Sequence, residues 1–334
     1  MSFWQTLPTP AFVLAPMADV TDASFRRLFA KYGTPDVTWT EFVSCDGLWH
    51  TREKQGIPDA ENPLMRDLLY TEAERPIVAQ LFSSKPEMME YGARLCRELG
   101  FDGVDINMGC PDRSIVRQGC GAGMIRTPEL AVAVIEAATR GAGSEEDGIP
   151  VSVKTRIGDT KNEIDTWVPT LLDSGIAALT MHARTRKELS LVPARWEHVA
   201  ECVAIRDRMG VDTKILGNGD VTSLAEGREL AEETGADGVM VGRGIFGNPW
   251  FFAGDGVKES LAREEILRTL VHHCELFGEL LPHKSFSIMK KHFKAYVHGW
   301  DGAKELRNAL MECTNASEVR ENIDKILKKT HTLT

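Results

Sequence analysis

A ring of eight parallel strands wrapped by helices, with a small all-helical unit after it, is the fold class this 334-residue sequence predicts. Three observations predict it. Eight short apolar runs occur, most of them followed by a helix-period stretch, and that alternation calls for a parallel sheet with crossover helices. The eight units occupy about 240 residues, which suits a closed (β/α)8 TIM barrel better than an open sheet. After Phe252 the strand pattern stops, and apolar residues recur only at three- and four-residue spacing.

Taken in order, the predicted strands are residues 12–15, 37–40, 77–81, 103–107, 150–155, 178–182, 214–218 and 238–241. Each is a four- to six-residue run bounded by polar or turn-forming residues. Helix-period stretches fall near 22–32, 86–99, 128–141, 161–174, 196–209 and 222–234. The segment 42–76 is too long for a simple connection; it opens with a helical apolar run over 42–49 and is expected to form part of the wall above the site. The connection 143–148 is an acidic, plain linker. Gly254-Asp255-Gly256 reads as the hinge between a barrel domain, 1–253, and a helical domain, 257–334. In the latter, Leu261, Ile266, Leu270, Cys274 and Phe277 mark the buried stripe of a helix.

Composition narrows the function classes. Hydrophobic content is 43% and charged content 26%, ordinary for a globular protein. No apolar run approaches the roughly 18 residues of a membrane helix, and the N-terminal residues lack a secretory pattern. Seven cysteines are scattered without a CxxC pair, which argues against a disulfide framework or zinc site and for a reducing, cytoplasmic setting. No metal is expected. The net charge of -10 excludes a general nucleic-acid coat. Residues 284–307 depart from it, with six basic residues against two acidic ones and with Phe293, Tyr296, His298 and Trp300 interleaved.

In such barrels chemistry sits at the C-terminal ends of the strands, and here those ends are loaded. In strand order they carry Pro16-Met17-Ala18, Thr40-Glu41, Gln80, Asn107 with Cys110, Lys154 with Arg156, His182 with Arg184 and Arg186, Asn218-Gly219-Asp220, and Gly242-Arg243-Gly244. An Asn-Gly-Asp alone is a turn. Two glycine turns at the seventh and eighth strands are where barrels commonly hold a phosphate, with Arg243 as a charge-assisted partner. Lys154 beside a flavin ring would stabilise the charge of reduction, and Gln80 would bond a heterocycle edge. Cys110, between Gly109 and Pro111, would supply a proton from across the mouth, for which its thiol must stay protonated. His182 lacks a second ligand at metal spacing. His272, His273 and Cys274 lie in a helical stretch where sequence neighbours do not face each other, so they belong to packing or surface.

These motifs are familiar as a set. Ala15-Pro16-Met17-Ala18, Val78-Ala79-Gln80-Leu81-Phe82, Asp105-Ile106-Asn107-Met108-Gly109-Cys110-Pro111, Ser152-Val153-Lys154-Thr155-Arg156, His182-Ala183-Arg184-Thr185, Gly217-Asn218-Gly219-Asp220 and Gly242-Arg243-Gly244 resemble, in order, the motifs of tRNA-dihydrouridine synthases. Lys290-Lys291-His292-Phe293-Lys294-Ala295-Tyr296 with Leu306-Arg307 resembles the family's C-terminal helical domain. The resemblance implies FMN as cofactor, NADPH as reductant and tRNA as partner. It implies reduction of the C5–C6 double bond of a uridine, with Cys110 as proton donor. FMN contacts would be Pro16, Met17, Ala18, Gln80, Lys154, His182, Asn218, Gly219, Asp220, Gly242 and Arg243. Asn107 would hold the uracil edge, Arg184 would meet a tRNA phosphate, and Lys290, Lys291, Lys294 and Arg307 would grip folded RNA. Two stretches depart from the family pattern: Ile115-Val116 replaces its lysine-valine pair, and the loop 187–196 lacks its aromatic and glycine. A flavin barrel acting on a free pyrimidine, like a dihydroorotate dehydrogenase, and an RNA chaperone with a vestigial site are the competing expectations. The sequence leaves the oligomeric state open; a monomer is expected.

Overall fold

In the computed structural model, which describes residues 2–143 and 147–331, eight strands form one parallel sheet. They are β1 Ala11–Leu14, β2 Thr38–Ser44, β3 Ile77–Phe82, β4 Gly103–Met108, β5 Val151–Arg156, β6 Ala178–His182, β7 Lys214–Asn218 and β8 Gly238–Val241. β1 pairs with β8, and neighbours pair in sequence from β2 to β8. The ring closes between β1 and β2 at a bridge from Val13 to Val37, where the Leu14 N–H donates to the Val37 carbonyl at 3.0 Å. The chain is thus a (β/α)8 barrel followed by a helical unit. Of the acidic connection 143–148, residues 144–146 lie outside the described residues.

Side chains alternate across each strand, and that alternation sorts the core in two. Outward residues such as Val104, Ile106, Val153, Leu179, Met181, Ile215 and Val239 pack against the crossover helices. Inward residues near the N-terminal end, Val13, Trp39, Val78, Ala178, Leu216 and Met240, form a separate dry cluster closed from below by Trp4. Further along the same inward faces the side chains become polar: Gln80 two residues after Val78, Asn218 two after Leu216, and Lys154 and His182 on the strands between. Register sets them side by side, with Gln80 beside Asp105, Asn107 beside Lys154, and His182 beside Asn218.

The second strand differs from expectation. The register shifts between Trp39 and Phe42, and β2 runs on to Ser44. The apolar run beginning at Phe42 is therefore strand first, and helix only from Cys45, where the Ser44 hydroxyl caps the Gly47 N–H at 3.1 Å. Of the segment 42–76, Phe42 reaches the cavity wall from β2 itself, while Asp67 turns toward the helical unit.

The helical unit has its own core, including Leu267, Leu270, Phe277, Phe293, Leu310 and Ile323. The Gly254–Gly256 turn is tied down: the Asp255 carboxylate accepts the Leu224 and Ala225 N–H groups at 2.7 and 2.8 Å, capping the helix Leu224–Thr234. Phe25 of the first barrel helix stacks on His273 at 4.7 Å between ring centroids, and His292 stands edge-on beside both. Burial holds both histidines neutral. Lys284 crosses between the units, its ammonium 2.7 Å from Glu41 and 3.0 Å from Asp67. Burial opposes its charge, but those carboxylates hold it above its ordinary value. One of the six basic residues of 284–307 is therefore spent inside the molecule. Of the interleaved aromatics, Phe293 and Tyr296 are core residues.

Candidate active site

At the C-terminal ends of the strands lies a cavity of ≈ 670 Å³. Twelve of the expected residues line it together with Cys110: Pro16, Met17, Gln80, Asn107, Lys154, His182, Arg184, Asn218, Gly219, Asp220, Gly242 and Arg243. Ala18, on the same loop as Met17, is exposed and does not. Lys290, Lys291, Lys294 and Arg307 lie elsewhere, on the helical unit. Lys291 and Lys294 are exposed, whereas Arg307 is half-buried and donates to the Val297 carbonyl at 2.8 Å.

The floor is a chain of buried amides hung on one carboxylate. Asp105 accepts from Gln80 Nε2 and Ser152 Oγ, each at 2.6 Å. Gln80 Oε1 accepts from Asn107 Nδ2 at 3.0 Å. Asn107 Oδ1 accepts the Gly109 and Cys110 N–H groups at 3.2 and 2.9 Å. Asn107 was expected to hold a substrate edge; its oxygen is instead occupied in folding the turn that carries Cys110, and one N–H remains to it. Burial raises Asp105 to about 6.

Cys110 stands at the cavity wall, and burial pushes its thiol above the usual range, so it is protonated at neutral pH. Its turn is braced by Arg156, whose Nε donates to the Gly109 carbonyl at 2.7 Å. Gly121 is also required there: its φ is +57°, and a Cβ would lie 2.7 Å from the Cys110 carbonyl oxygen. Sequence reasoning missed Gly121 because it is eleven residues from the thiol in the chain and meets it only through the loop's return.

Across the cavity the Lys154 ammonium donates to Asn218 Oδ1 at 3.0 Å, and Asn218 Nδ2 donates to the Met240 carbonyl at 2.7 Å. Among the described residues its hydrogen-bond partner is thus an amide, not a carboxylate. Burial, then the nearby Arg156 charge, lower it to about 8. His182 is neutral: burial and four surrounding cations hold it well below its ordinary value, and its Nε2 accepts from Arg184 Nη1 at 3.0 Å. Arg184 itself is 2% exposed and is also bonded to Asp220 and to the Val192 carbonyl. A guanidinium buried with those partners holds the cavity wall, a different task from meeting a phosphate on an RNA surface.

Asp220 takes φ +58° and is bridged by Arg184 and Arg243, which depress its carboxyl. The preceding Gly219 has φ +135°, and a Cβ there would meet Ala194 at 2.6 Å. Gly219 is thus packed against Ala194, whereas a Cβ on Gly242 would meet only Met17 at 3.6 Å and Ala15 at 3.8 Å, so the open backbone is at Gly242, next to the exposed Arg243 guanidinium and suited to an anion.

The thiol, the amide relay and the lysine ammonium thus meet over one cavity at the C-terminal end of a (β/α)8 barrel. Solved barrels agree on the fold: histamine dehydrogenase from Rhizobium sp. 4-9 superposes with a TM-score of 0.56 at 11% identity, covering 80% of this chain. The chain spans about half of that protein, 49% of its length. Morphinone reductase superposes at 0.51 and 14% identity, covering 75% of this chain and 86% of the other. Sequence comparison is more specific. The family model described as dihydrouridine synthase matches residues 13–331. A Bacillus subtilis (strain 168) protein named "Probable tRNA-dihydrouridine synthase 2" is 40% identical over 331 residues, 98% of this chain and 97% of that one. A Staphylococcus epidermidis (strain RP62A) protein named "Probable tRNA-dihydrouridine synthase" is 38% identical over 326 residues, 97% of this chain and 95% of that one. The chain belongs to the dihydrouridine synthase family.

Among the described residues no helix is long and apolar enough to cross a membrane, and no cluster of three or more His, Cys, Asp or Glu is placed to hold a metal ion.

Proposed function

We propose that this protein reduces the C5–C6 double bond of a uridine in tRNA, with FMN held in the barrel mouth and NADPH as reductant. Family membership and end-to-end similarity to proteins named for that reaction support it. The observation that carries it is the pairing, over one cavity, of the Cys110 thiol and a half-buried Lys154 hydrogen-bonded to an amide.

The residues fit the cofactor. A half-buried ammonium facing an amide suits a group that gains negative charge on reduction. The open backbone at Gly242, with Arg243 beside it, suits a phosphate. Gln80, Lys154, His182 and Asn218, with Pro16 and Met17, would surround the ring, Ala18 staying outside on the same loop; Gly219, Asp220, Gly242 and Arg243 would hold the phosphate end, Asp220 by its backbone. When bound, FMN supplies the hydride that ends on C6 of the uracil. Cys110 breaks its S–H bond to give the proton to C5, and the positive charges of Lys154 and Arg156 ease the transient thiolate, which takes its proton back from water. Asn107 fixes the Cys110 turn and presents its remaining N–H to the substrate. Residues 1–253 are the catalytic domain in this reading. Residues 257–334 bind RNA through Lys290, Lys291 and Lys294, with Arg307 shaping that surface. Action on tRNA implies a cytoplasmic location, and a monomer completes the reading.

The test is spectroscopic. Purified protein is loaded with FMN, bleached anaerobically with NADPH, and mixed with unmodified tRNA. Reoxidation by tRNA, with dihydrouridine in the product, is expected. A flavin that bleaches but ignores every tRNA overturns the RNA substrate, and failure to retain FMN overturns the site.

A further inference from the structure

We propose that Leu191, at the tip of the loop between β6 and the helix Glu197–Met209, is a wedge that enters the RNA base stack where the target uridine leaves it. The proposal rests on the tRNA reading above. A base inside a folded RNA must be extruded before a group in a cavity can reach it. Proteins that open stacks commonly insert a leucine, phenylalanine or methionine between the bases.

Among the described residues, the exposed large apolar side chains are Leu69, Leu189, Leu191 and Met311. Two of these four stand on this one loop, and Leu191 is 83% exposed against 37–44% for the others. A lone exposed leucine would need no explanation. This one has a setting. Ser190, between the two leucines, lines the cavity, so the loop is part of its rim. Neither leucine lines the cavity, so they do not roof a ring held inside it.

The loop is also fixed from beneath. Arg156 Nη1 donates to the Leu189 carbonyl at 2.9 Å, and Arg184 Nε to the Val192 carbonyl at 2.6 Å. The Leu191 N–H donates to the Glu188 carbonyl at 3.0 Å, and the Glu188 carboxylate takes the Thr185 N–H and an Arg195 N–H, each at 2.8 Å. Leu189 is held at φ +54°, where a side chain with a Cβ is disfavoured. Two buried guanidiniums from β5 and the β6 end therefore bolt an apolar tip in water. Two leucines make too small a face for a stable protein interface. For RNA the size is right: one side chain fills one vacated step, and Lys187, exposed and four residues earlier on the same loop, carries a charge for the backbone phosphates.

The test uses the FMN-loaded full chain and an in vitro transcript of a tRNA that the wild type reduces, carrying 2-aminopurine next to the reduced uridine. Leu191→Ala should keep its thermal midpoint, as an exposed position does. It should lose the 2-aminopurine fluorescence rise and slow tRNA-driven reoxidation about 30-fold, with Leu191→Met within about threefold of wild type. An alanine variant that matches wild type in both readouts overturns the wedge. So does a slowed reaction with an intact fluorescence rise, which would put Leu191 after extrusion. So does Leu191→Met failing as alanine does. If no tRNA reoxidises the wild type, the function reading falls and the wedge with it; failure of the variants alone leaves that reading standing.

Discussion

The two halves of the barrel interior are built from the same strands and obey opposite rules. On β7, Leu216 and Asn218 point inward two residues apart. Leu216 packs in a dry cluster over Trp4, while Asn218 receives the Lys154 ammonium. The lower half is filled by apolar contact, which stabilises whatever its exact chemistry. The upper half holds a buried acid and a chain of buried amides beneath a half-buried ammonium at the cavity, an arrangement tolerable because these polar groups are bonded to one another. One alternating pattern thus divides a single strand between stability and reactivity.

The largest effect that would sharpen this contrast is at the thiol. Cys110→Ala should slow tRNA-driven flavin reoxidation by about 10²- to 10⁴-fold, the usual share of a positioned acid, with no loss of thermal stability. A rate within a few fold of wild type would break the contrast by showing that the proton comes from elsewhere. At the other end, Leu216→Ala should lower unfolding free energy by about 2–5 kcal/mol, as buried leucine truncations do, while turnover per folded molecule stays within a few fold. Denaturant melts paired with active-site titration would read both quantities.

Next comes Lys154. Burial has lowered its pKa from 10.5 to about 8, so its charge is present below that pH and lost above it. FMN affinity should therefore fall as pH rises through about 8. Lys154→Met should abolish that step and weaken binding by about 1.5–3 kcal/mol. Asp105→Asn removes a charge that supports the ammonium, so the step should move to lower pH; a shift in the other direction would mean that Asp105 acts only through the amide chain. Flavin fluorescence titrations across pH 6–10 would decide. The smallest effect lies outside the barrel. Changing Lys290, Lys291 and Lys294 to Gln together should weaken tRNA affinity. Its salt dependence should drop by up to about one unit of slope for each phosphate no longer neutralised. Binding isotherms at several salt concentrations measure it, and an unchanged slope would remove this helix from the RNA surface.

Much of the catalytic end is legible in the chain because it depends on local pattern. Strand ends in a barrel converge on one mouth whatever the loops do, so Gln80, Asn107, Lys154, His182 and Asn218 could be gathered by counting strands. What each does there was less legible. Asn107 and Arg184 both look like hands held out to a ligand. Their oxygen and guanidinium are taken by the Cys110 turn and by Asp220 with Val192, partners that sequence spacing does not reveal. Gly121 supports a thiol it does not adjoin. The basic stretch 284–307 reads as one charged face until Lys284 is seen turned inward to Glu41, 243 residues earlier in the chain.

By itself the sequence determined the eight-strand alternation, the helical unit after residue 256, and the residue types that meet at the mouth, since periodicity and turn chemistry act over a few neighbours. Only the tertiary structure decided which of those polar groups face the cavity and which are consumed in holding others. A hydrogen bond or ion pair is settled by distance in space, and burial raises the cost of leaving it unmade. The bulge that carries β2 on to Ser44, the neutral His182 among four cations and the bolted tip at Leu191 arise from that closure, where groups far apart in the chain compete for the same few ångströms.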